Sequence, residues 1–267
     1  MVYIIVVSHG HEKYILKLLS CLDLNSSHYK VIIRDNKDSQ ELRQICELTN
    51  SVEYISGGKY GFGRNNNVAV SHVIDNYYVA EDDYFLFLNP DVIIEHATLI
   101  SYIDYVKRRG YSFSTLCLFR DNQKQIHDYS IRHFPKFRDF CSSFTRQINK
   151  TLLKKESIKD DLEIDWCAGS FMCINVSSFM KVNGFDESYF MYCEDVDLCY
   201  RLKLADINLF YIPCFNAVHD AHHDNRNIFS KAFRWHFKSA LRFCLRRLFL
   251  TKRNYKKINS VIRNRYL

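Results

Sequence analysis

The chain has 267 residues, 47% of them hydrophobic, with only 3 Pro and 8 Gly. This supports one large α/β domain or two small ones and argues against long disordered linkers. The net charge of +7 is uneven: residues 230–267 hold twelve Lys/Arg and no Asp or Glu, so the remainder is net acidic.

In chain order, residues 2–7 form an apolar run that ends in Ser8, His9 and Gly10 and reads as a buried strand. Residues 12–22 have helical spacing, 29–34 read as a second strand ending in Asp35-Asn36, and 40–48 as a second helix. A short strand over 53–55 precedes a glycine-rich segment, followed by a helix over 65–76, a wholly apolar strand over 84–88 and a helix over 97–107. Apolar strands alternating with amphipathic helices predict a mostly parallel sheet covered on both faces, with ligands bound beyond the carboxyl ends of the strands. The polar clusters Ser8-His9, Asp35-Asn36 and Asn89-Pro90-Asp91 fall at those ends. Further on, 112–119 reads as a strand and 120–161 as loops and short helices around a site. A strand over 164–174 is interrupted at 168–170, and a helix over 196–204 leads to a strand over 209–212. Residues 229–250 form a basic amphipathic helix. The expected division is a catalytic domain over 1–227 and a basic helical segment over 228–267.

The N-terminus lacks the basic start and length of a secretory signal, and no apolar run approaches the roughly 18 residues of a membrane span. The 10 Cys show no CxxC pair, which reads as reduced, buried thiols in a cytosolic protein and disfavours structural zinc.

Five motifs carry chemistry. Asp35 either accepts a hydrogen bond from the imide N–H of uracil or thymine or simply caps a turn. The glycines of segment 57–67 (GGKYGFGRNNN) let the backbone approach a ligand, and the helix after them aims N–H groups at a phosphate or sugar. The segment is neither a Walker A loop nor a dinucleotide fingerprint. Asp91, at a strand's carboxyl edge, suits a divalent cation that bridges a diphosphate, although Asn-Pro-Asp is also a plain turn. Between Phe185 and Val196 four carboxylates, those of Asp186, Glu187, Glu194 and Asp195, sit among aromatics, and Asp197 follows. Glu194 and Asp195 open a helix, where acids are favourable anyway, and one of them can act as general base. Arg201, two turns on, can hold a carboxylate or phosphate. His219, His222 and His223 lack the HExxH pattern, so a single His completing a metal shell competes with solvated surface histidines.

Taken in order, these motifs resemble the GT-A family 2 glycosyltransferases, especially their bacterial rhamnosyltransferase branch. The resemblance rests on Asp35-Asn36, Gly61-Phe62-Gly63 with Asn65-Asn66, Leu88-Asn89-Pro90-Asp91 and Gly169-Ser170-Phe171. It continues through Phe185-Asp186-Glu187, Phe190, Glu194-Asp195-Val196-Asp197-Leu198, Arg201 and His219, nearly the whole chain. It implies Asp195 as catalytic base with Glu194 beside it. Ser8, His9, Asp35, Asn36, Gly61, Phe62, Asn65, Asn66, Asn89 and Arg201 would bind the nucleotide sugar. Trp166, Gly169 and Ser170 would bind the acceptor, and Asp91 with His219 would hold Mg²⁺ or Mn²⁺. The family's usual Asp-x-Asp is Asn89-Pro90-Asp91 here, which leaves the diphosphate to supply most metal ligands, or the metal dispensable. The implied reaction is inverting transfer of L-rhamnose from dTDP-β-L-rhamnose to GlcNAc-diphospho-undecaprenol, as in O-antigen assembly; a UDP-hexose donor is the alternative. A non-catalytic sugar-nucleotide-binding protein is a further one. A nucleotidyltransferase would need a basic pyrophosphate loop near the N-terminus, and Ser8-His9-Gly10 is not one.

Basic amphipathic helices with aromatics lie on anionic bilayers. The segment after residue 228 therefore predicts peripheral association with an anionic membrane surface, on the cytoplasmic face of a bacterial inner membrane where a lipid-linked acceptor would lie. The strand–helix order matches no RNA-recognition module, so nucleic acid is not an expected partner.

Overall fold

The computed structural model describes residues 1–49, 51–135, 139, 151–220 and 231–262. The first half follows the alternation read from the sequence: β1 (Val2–Ser8), α1 (Glu12–Ser20), β2 (Tyr29–Asp35), α2 (Gln40–Glu47), β3 (Val52–Ile55), α3 (Phe62–Asn76), β4 (Tyr84–Leu88), a short β5 (Val92–Ile93) and α4 (His96–Arg109). Then come β6 (Phe113–Phe119), β7 (Ile131–Arg132), a 3₁₀ turn (Lys155–Ser157), β8 (Leu162–Ile164), β9 (Trp166–Cys167) and β10 (Phe171–Asn175). The described chain continues with α5 (Val176–Lys181), α6 (Glu194–Leu204), β11 (Leu209–His219) and α7 (Lys231–Phe249).

The main sheet runs β3-β2-β1-β4-β10-β6-β11-β5, with β8 also on β11. Strands β3, β2, β1 and β4 are mutually parallel, β10 lies antiparallel between β4 and β6, and β6 and β11 are parallel again. Successive strand residues point to opposite faces, and each face has its own core. On one side Val2, Ile4, Val6, Leu86 and Leu88 pack with Leu18, Leu42, Leu99 and Ile103 of α1, α2 and α4. On the other, Tyr3, Ile5, Phe85 and Phe87 pack with Val70, Phe179, Leu198 and Leu202 of α3, α5 and α6. This is why these strands are apolar at almost every position. The described cysteines are free thiols, most of them buried.

Two departures from the sequence reading matter for the site. The run 164–174 holds the end of β8, then β9 and β10: β9 pairs with β7 in a separate two-stranded sheet, and the chain reverses at Ala168, Gly169 and Ser170 before β10 enters the main sheet. Strand β11 continues seven residues past Ile212. Its register with β6 shifts between Ile212 and Asn216, around Pro213, which has no N–H to give a ladder. The bulge lets the strand resume and delivers His219 opposite Val92, next to Asp91.

The C-terminal segment packs on the same body. Ala240 and Phe243 of α7 join Tyr189, Cys193 and Val196 in a third cluster. Beyond α7, Ile258 and Ile262 are buried, the Asn67 amide donates to Ser260 Oγ at 3.1 Å, and the Val261 N–H donates to Glu187 at 2.7 Å.

Candidate active site

The carboxyl ends of β1 and β2 lie side by side. Ser8 pairs in register with Asp35. The Asp35 carboxylate is fully buried and accepts from the Lys37 N–H (2.9 Å), the Ser39 N–H (2.6 Å) and the Tyr54 hydroxyl (3.0 Å), which is the capping-turn alternative. Asn36 brackets the Tyr60 backbone, accepting from its N–H at 2.8 Å and donating to its carbonyl at 3.0 Å. Asn65, also buried, donates to the carbonyls of Tyr60 and Gly61 and accepts from Arg34. Buried Asn66 donates to the Phe62 carbonyl at 3.0 Å. Of these side chains, all expected at the donor, Asn36 and Asn65 hold the backbone of the 57–63 loop, and Asp35 holds the turn after β2. Ser8 is buried and His9 exposed.

Helix α3 starts at Phe62, three residues earlier than its spacing suggested. Its N-cap is Gly61, where a Cβ would lie 2.1 Å from the Phe190 carbonyl oxygen. The Phe62 N–H donates to that carbonyl at 3.1 Å. The glycine-rich loop is thus locked against the segment that precedes Glu194.

A cleft of about 350 Å³ opens with Phe62, Asn89, Gly169, Ser170, Glu194 and Asp195 among its walls, and the ends of β1 and β2 do not line it. Glu194 and Asp195 are the first two residues of α6, following Tyr192 and Cys193 in left-handed conformation (φ 69° and 63°). Asp195 accepts from the Gly169 N–H at 3.2 Å and the Val196 N–H at 2.8 Å. Burial raises its carboxyl above the ordinary range, against those two N–H groups, which favour the charged form. Glu194 is pushed up to about 8, first by burial and then by the charge of Asp195. At neutral pH Glu194 holds a proton, and the two backbone N–H groups favour the charged form of Asp195. Glu194 Oε2 and Ser170 Oγ are buried without a hydrogen-bond partner. Orphaned polar atoms of this kind at a cleft fit a polar ligand such as a sugar.

The opposite corner holds Asp91 and His219. His219 Nε2 lies 3.6 Å from Asp91, and Nδ1 lies 3.2 Å from Asp128. Burial alone would lower the imidazole, but the two carboxylates outweigh it and push it up to about 9. Asp128 also pairs with the buried Lys155 ammonium, and burial is overridden by these cations so that its carboxyl falls to about 2. Among the described residues no three His, Cys, Asp or Glu converge as a metal cage. Asp91 and His219 fit a divalent cation only as a two-residue edge, with other oxygens completing the shell and the cation displacing the imidazolium proton. His222 and His223 lie outside the described residues.

Sequence reasoning missed Asp128, Arg120, Tyr129 and Arg132, which also line the cleft. It had marked 120–161 as loops around a site but had no local signal for individual residues. One expectation is corrected. Arg201 does not face the cleft: its side chain is 0% exposed, with Nε donating to Asp197 at 2.6 Å and the guanidinium donating to the Val182 carbonyl at 2.7 Å. The ion pair is internal to α6 and anchors it to the end of α5. Trp166 stands behind the cleft with the Arg132 guanidinium 5.2 Å from its ring, while Gly169 and Ser170 line it directly.

A buried carboxylate at a helix start, sharing a cleft with Phe62 of the glycine-rich segment and Asn89 after β4, fits a group transferase. The chain belongs to glycosyltransferase family 2: the model described as glycosyltransferase like family 2 matches residues 1–238. Among curated relatives it is 59% identical over 261 residues to rhamnosyltransferase WbbL of Escherichia coli K12, covering 98% of this chain and 99% of that one. It is 24% identical over 234 residues to the N-acetylglucosaminyl-diphospho-decaprenol L-rhamnosyltransferase of Mycobacterium tuberculosis, covering 82% and 76%. Solved structures share the GT-A fold at low identity. GalNAc-T7 with UDP, GalNAc and Mn²⁺ superposes with a TM-score of 0.62 at 11% identity; the match covers 91% of this chain and about half (47%) of that protein. The Pyrobaculum calidifontis mannosyltransferase PcManGT, with GDP-Man and Mn²⁺, gives 0.59 at 12% identity, covering 92% and 64%.

Proposed function

We propose that this enzyme is an inverting rhamnosyltransferase that moves L-rhamnose from dTDP-β-L-rhamnose to GlcNAc-diphospho-undecaprenol in O-antigen assembly. It would work as a peripheral protein on the cytoplasmic face of the inner membrane. The observation that carries this reading is Asp195: a carboxylate of raised basicity, held by the Gly169 N–H at the cleft wall. Likeness to rhamnosyltransferase WbbL over nearly the whole chain supports the donor sugar, and the name of the mycobacterial relative supports the acceptor class.

In the proposed reaction the acceptor hydroxyl lies against Asp195, which takes its proton as the oxygen attacks the anomeric carbon. The bond to the diphosphate breaks in the same step, so the anomeric centre inverts and an α-L-rhamnoside results. General-base assistance of this kind contributes about 10²–10⁴-fold. Neutral Glu194 keeps a second negative charge away from the base and offers a proton to a sugar hydroxyl. Arg120 and Arg132, on the cleft walls, supply positive charge for diphosphate. A divalent cation held by Asp91 and His219 would neutralise the leaving diphosphate.

A panel of dTDP-β-L-rhamnose, UDP-hexoses and GDP-mannose, each offered with GlcNAc-diphospho-undecaprenol, tests the reading. The expected product is a single α-linked rhamnose. Efficient transfer from a UDP-hexose, with none from dTDP-rhamnose, would overturn the donor assignment.

A further inference from the structure

Helix α7 is apolar on two sides. Its inner side buries Ala240 and Phe243 against the body. Its outer side carries Leu241 (40% exposed), Leu245 (52%) and Leu248 (75%), spaced i, i+4, i+7, with Phe249 (73%) beside them. A contiguous exposed ridge of this kind marks a docking surface. Exposed Arg234 and Lys238 flank it on the helix, and Lys252, Arg253, Lys256 and Lys257 follow it. Residues 230–267 contain no acid, and of these cations Lys252 pairs with Asp206 of the body. This charge selects the occupant. An anionic bilayer satisfies both the ridge and the cations, whereas a second copy would bring two like-charged faces together. No described helix is long and apolar enough to cross a membrane, which fits a helix lying in the surface plane.

The inner side of the same helix grips the bend that leads into the catalytic pair. Ser239 Oγ donates to the Met191 carbonyl at 2.9 Å. Trp235 packs on Phe190 with ring centroids 4.9 Å apart, and His236 on Tyr192 at 5.1 Å. Met191 and Tyr192 line the cleft, and Asp195 follows within three residues of Tyr192. The left-handed backbone at Tyr192 and Cys193 is unfavourable for residues with a side chain and persists only where its surroundings impose it. Helix α7 is one of the two elements that impose it; the other is the start of α3, through the Phe190 carbonyl.

We propose that α7 is a lipid-docking latch. An anionic bilayer takes up the outer ridge, and the inner side then holds the Phe190–Cys193 bend in the form that aims Asp195, so docking raises kcat as well as recruiting the enzyme. The proposal rests on the transferase reading above.

The test uses the full chain and a short-chain, water-soluble GlcNAc-diphosphate acceptor, so that recruitment to substrate does not itself change the rate. Turnover and sedimentation are measured without vesicles, with phosphatidylcholine vesicles and with vesicles rich in phosphatidylglycerol. The expected result is binding to the anionic vesicles alone and a rise in kcat of about tenfold, the effect of holding one strained residue in place. Leu241→Glu with Leu245→Glu should abolish binding and the rise while leaving vesicle-free turnover and Tm unchanged. Ser239→Ala should bind vesicles normally but lose most of the rise at unchanged donor KM, and Ser239→Thr should restore it. Vesicle binding with unchanged kcat would overturn the latch. So would full stimulation of the Leu241→Glu, Leu245→Glu variant, or a dimer that this variant dissociates. Absence of transfer from every donor, with anionic-vesicle binding intact, would contradict the transferase reading and leave the lipid contact standing.

Discussion

Asp195 and Glu194 are neighbours in the chain with opposite assignments, and their surroundings make the difference. Glu194 has an orphaned oxygen and a carboxyl near 8, while Asp195 has two backbone N–H donors that favour its charged form. The kcat/KM profile should therefore rise with pH through an acid limb above the ordinary carboxylate range, as Asp195 deprotonates, and change again near about 8 as Glu194 ionises. Glu194→Gln should remove only the upper change; loss of the acid limb in that variant would reverse the two roles. Glu194 and Asp195 stood out in the sequence as paired acids at a helix start, and Asp91 as a carboxylate after a wholly apolar strand. Asp128 did not, because its partners Lys155 and His219 lie far along the chain. Asp128→Asn leaves the Lys155 ammonium buried without its counter-charge and should cost about 3–5 kcal/mol in urea unfolding.

At the scale of elements, the site depends on how loop and helix ends are wedged together. Gly61→Ala would drive a methyl into the Phe190 carbonyl, displacing both the α3 start and the bend before α6. Activity should fall steeply, with a lowered Tm, and a fully active Gly61→Ala enzyme would contradict this packing. Arg201→Met should lower Tm, because buried Asp197 would lose its partner at 2.6 Å and keep only the Tyr189 hydroxyl and the more distant Arg246 guanidinium (3.8 Å), yet leave donor Kd unchanged in calorimetry. Weakened donor binding without loss of stability would restore the role first expected for Arg201. The parallel strands were legible because burial on both faces makes them continuously apolar. The reversal at 168–170 and the Pro213 bulge were not, since both are set by which strands flank the segment and not by its own composition.

For the molecule as a whole, charge pattern and packing give different boundaries. The basic composition of 228–267 is plain in the sequence. The insertion of Phe243, Ile258 and Ile262 into the body is not, because it depends on contacts with residues such as Asn67 and Glu187 far upstream. Each such buried side chain contributes about 1.5–3 kcal/mol, so truncation before Phe243 should yield an unfolded or aggregating product in place of an active soluble domain. Substitutions on the exposed ridge are the changes that separate membrane contact from folding. The central claim is that the cleft carries out a single displacement with Asp195 as base. It is tested most directly by comparing donor binding and turnover in Asp195→Asn. The account predicts dTDP-rhamnose affinity close to that of the unaltered enzyme, with turnover reduced by about 10²–10⁴-fold. Turnover near that of the unaltered enzyme in the same variant would contradict it.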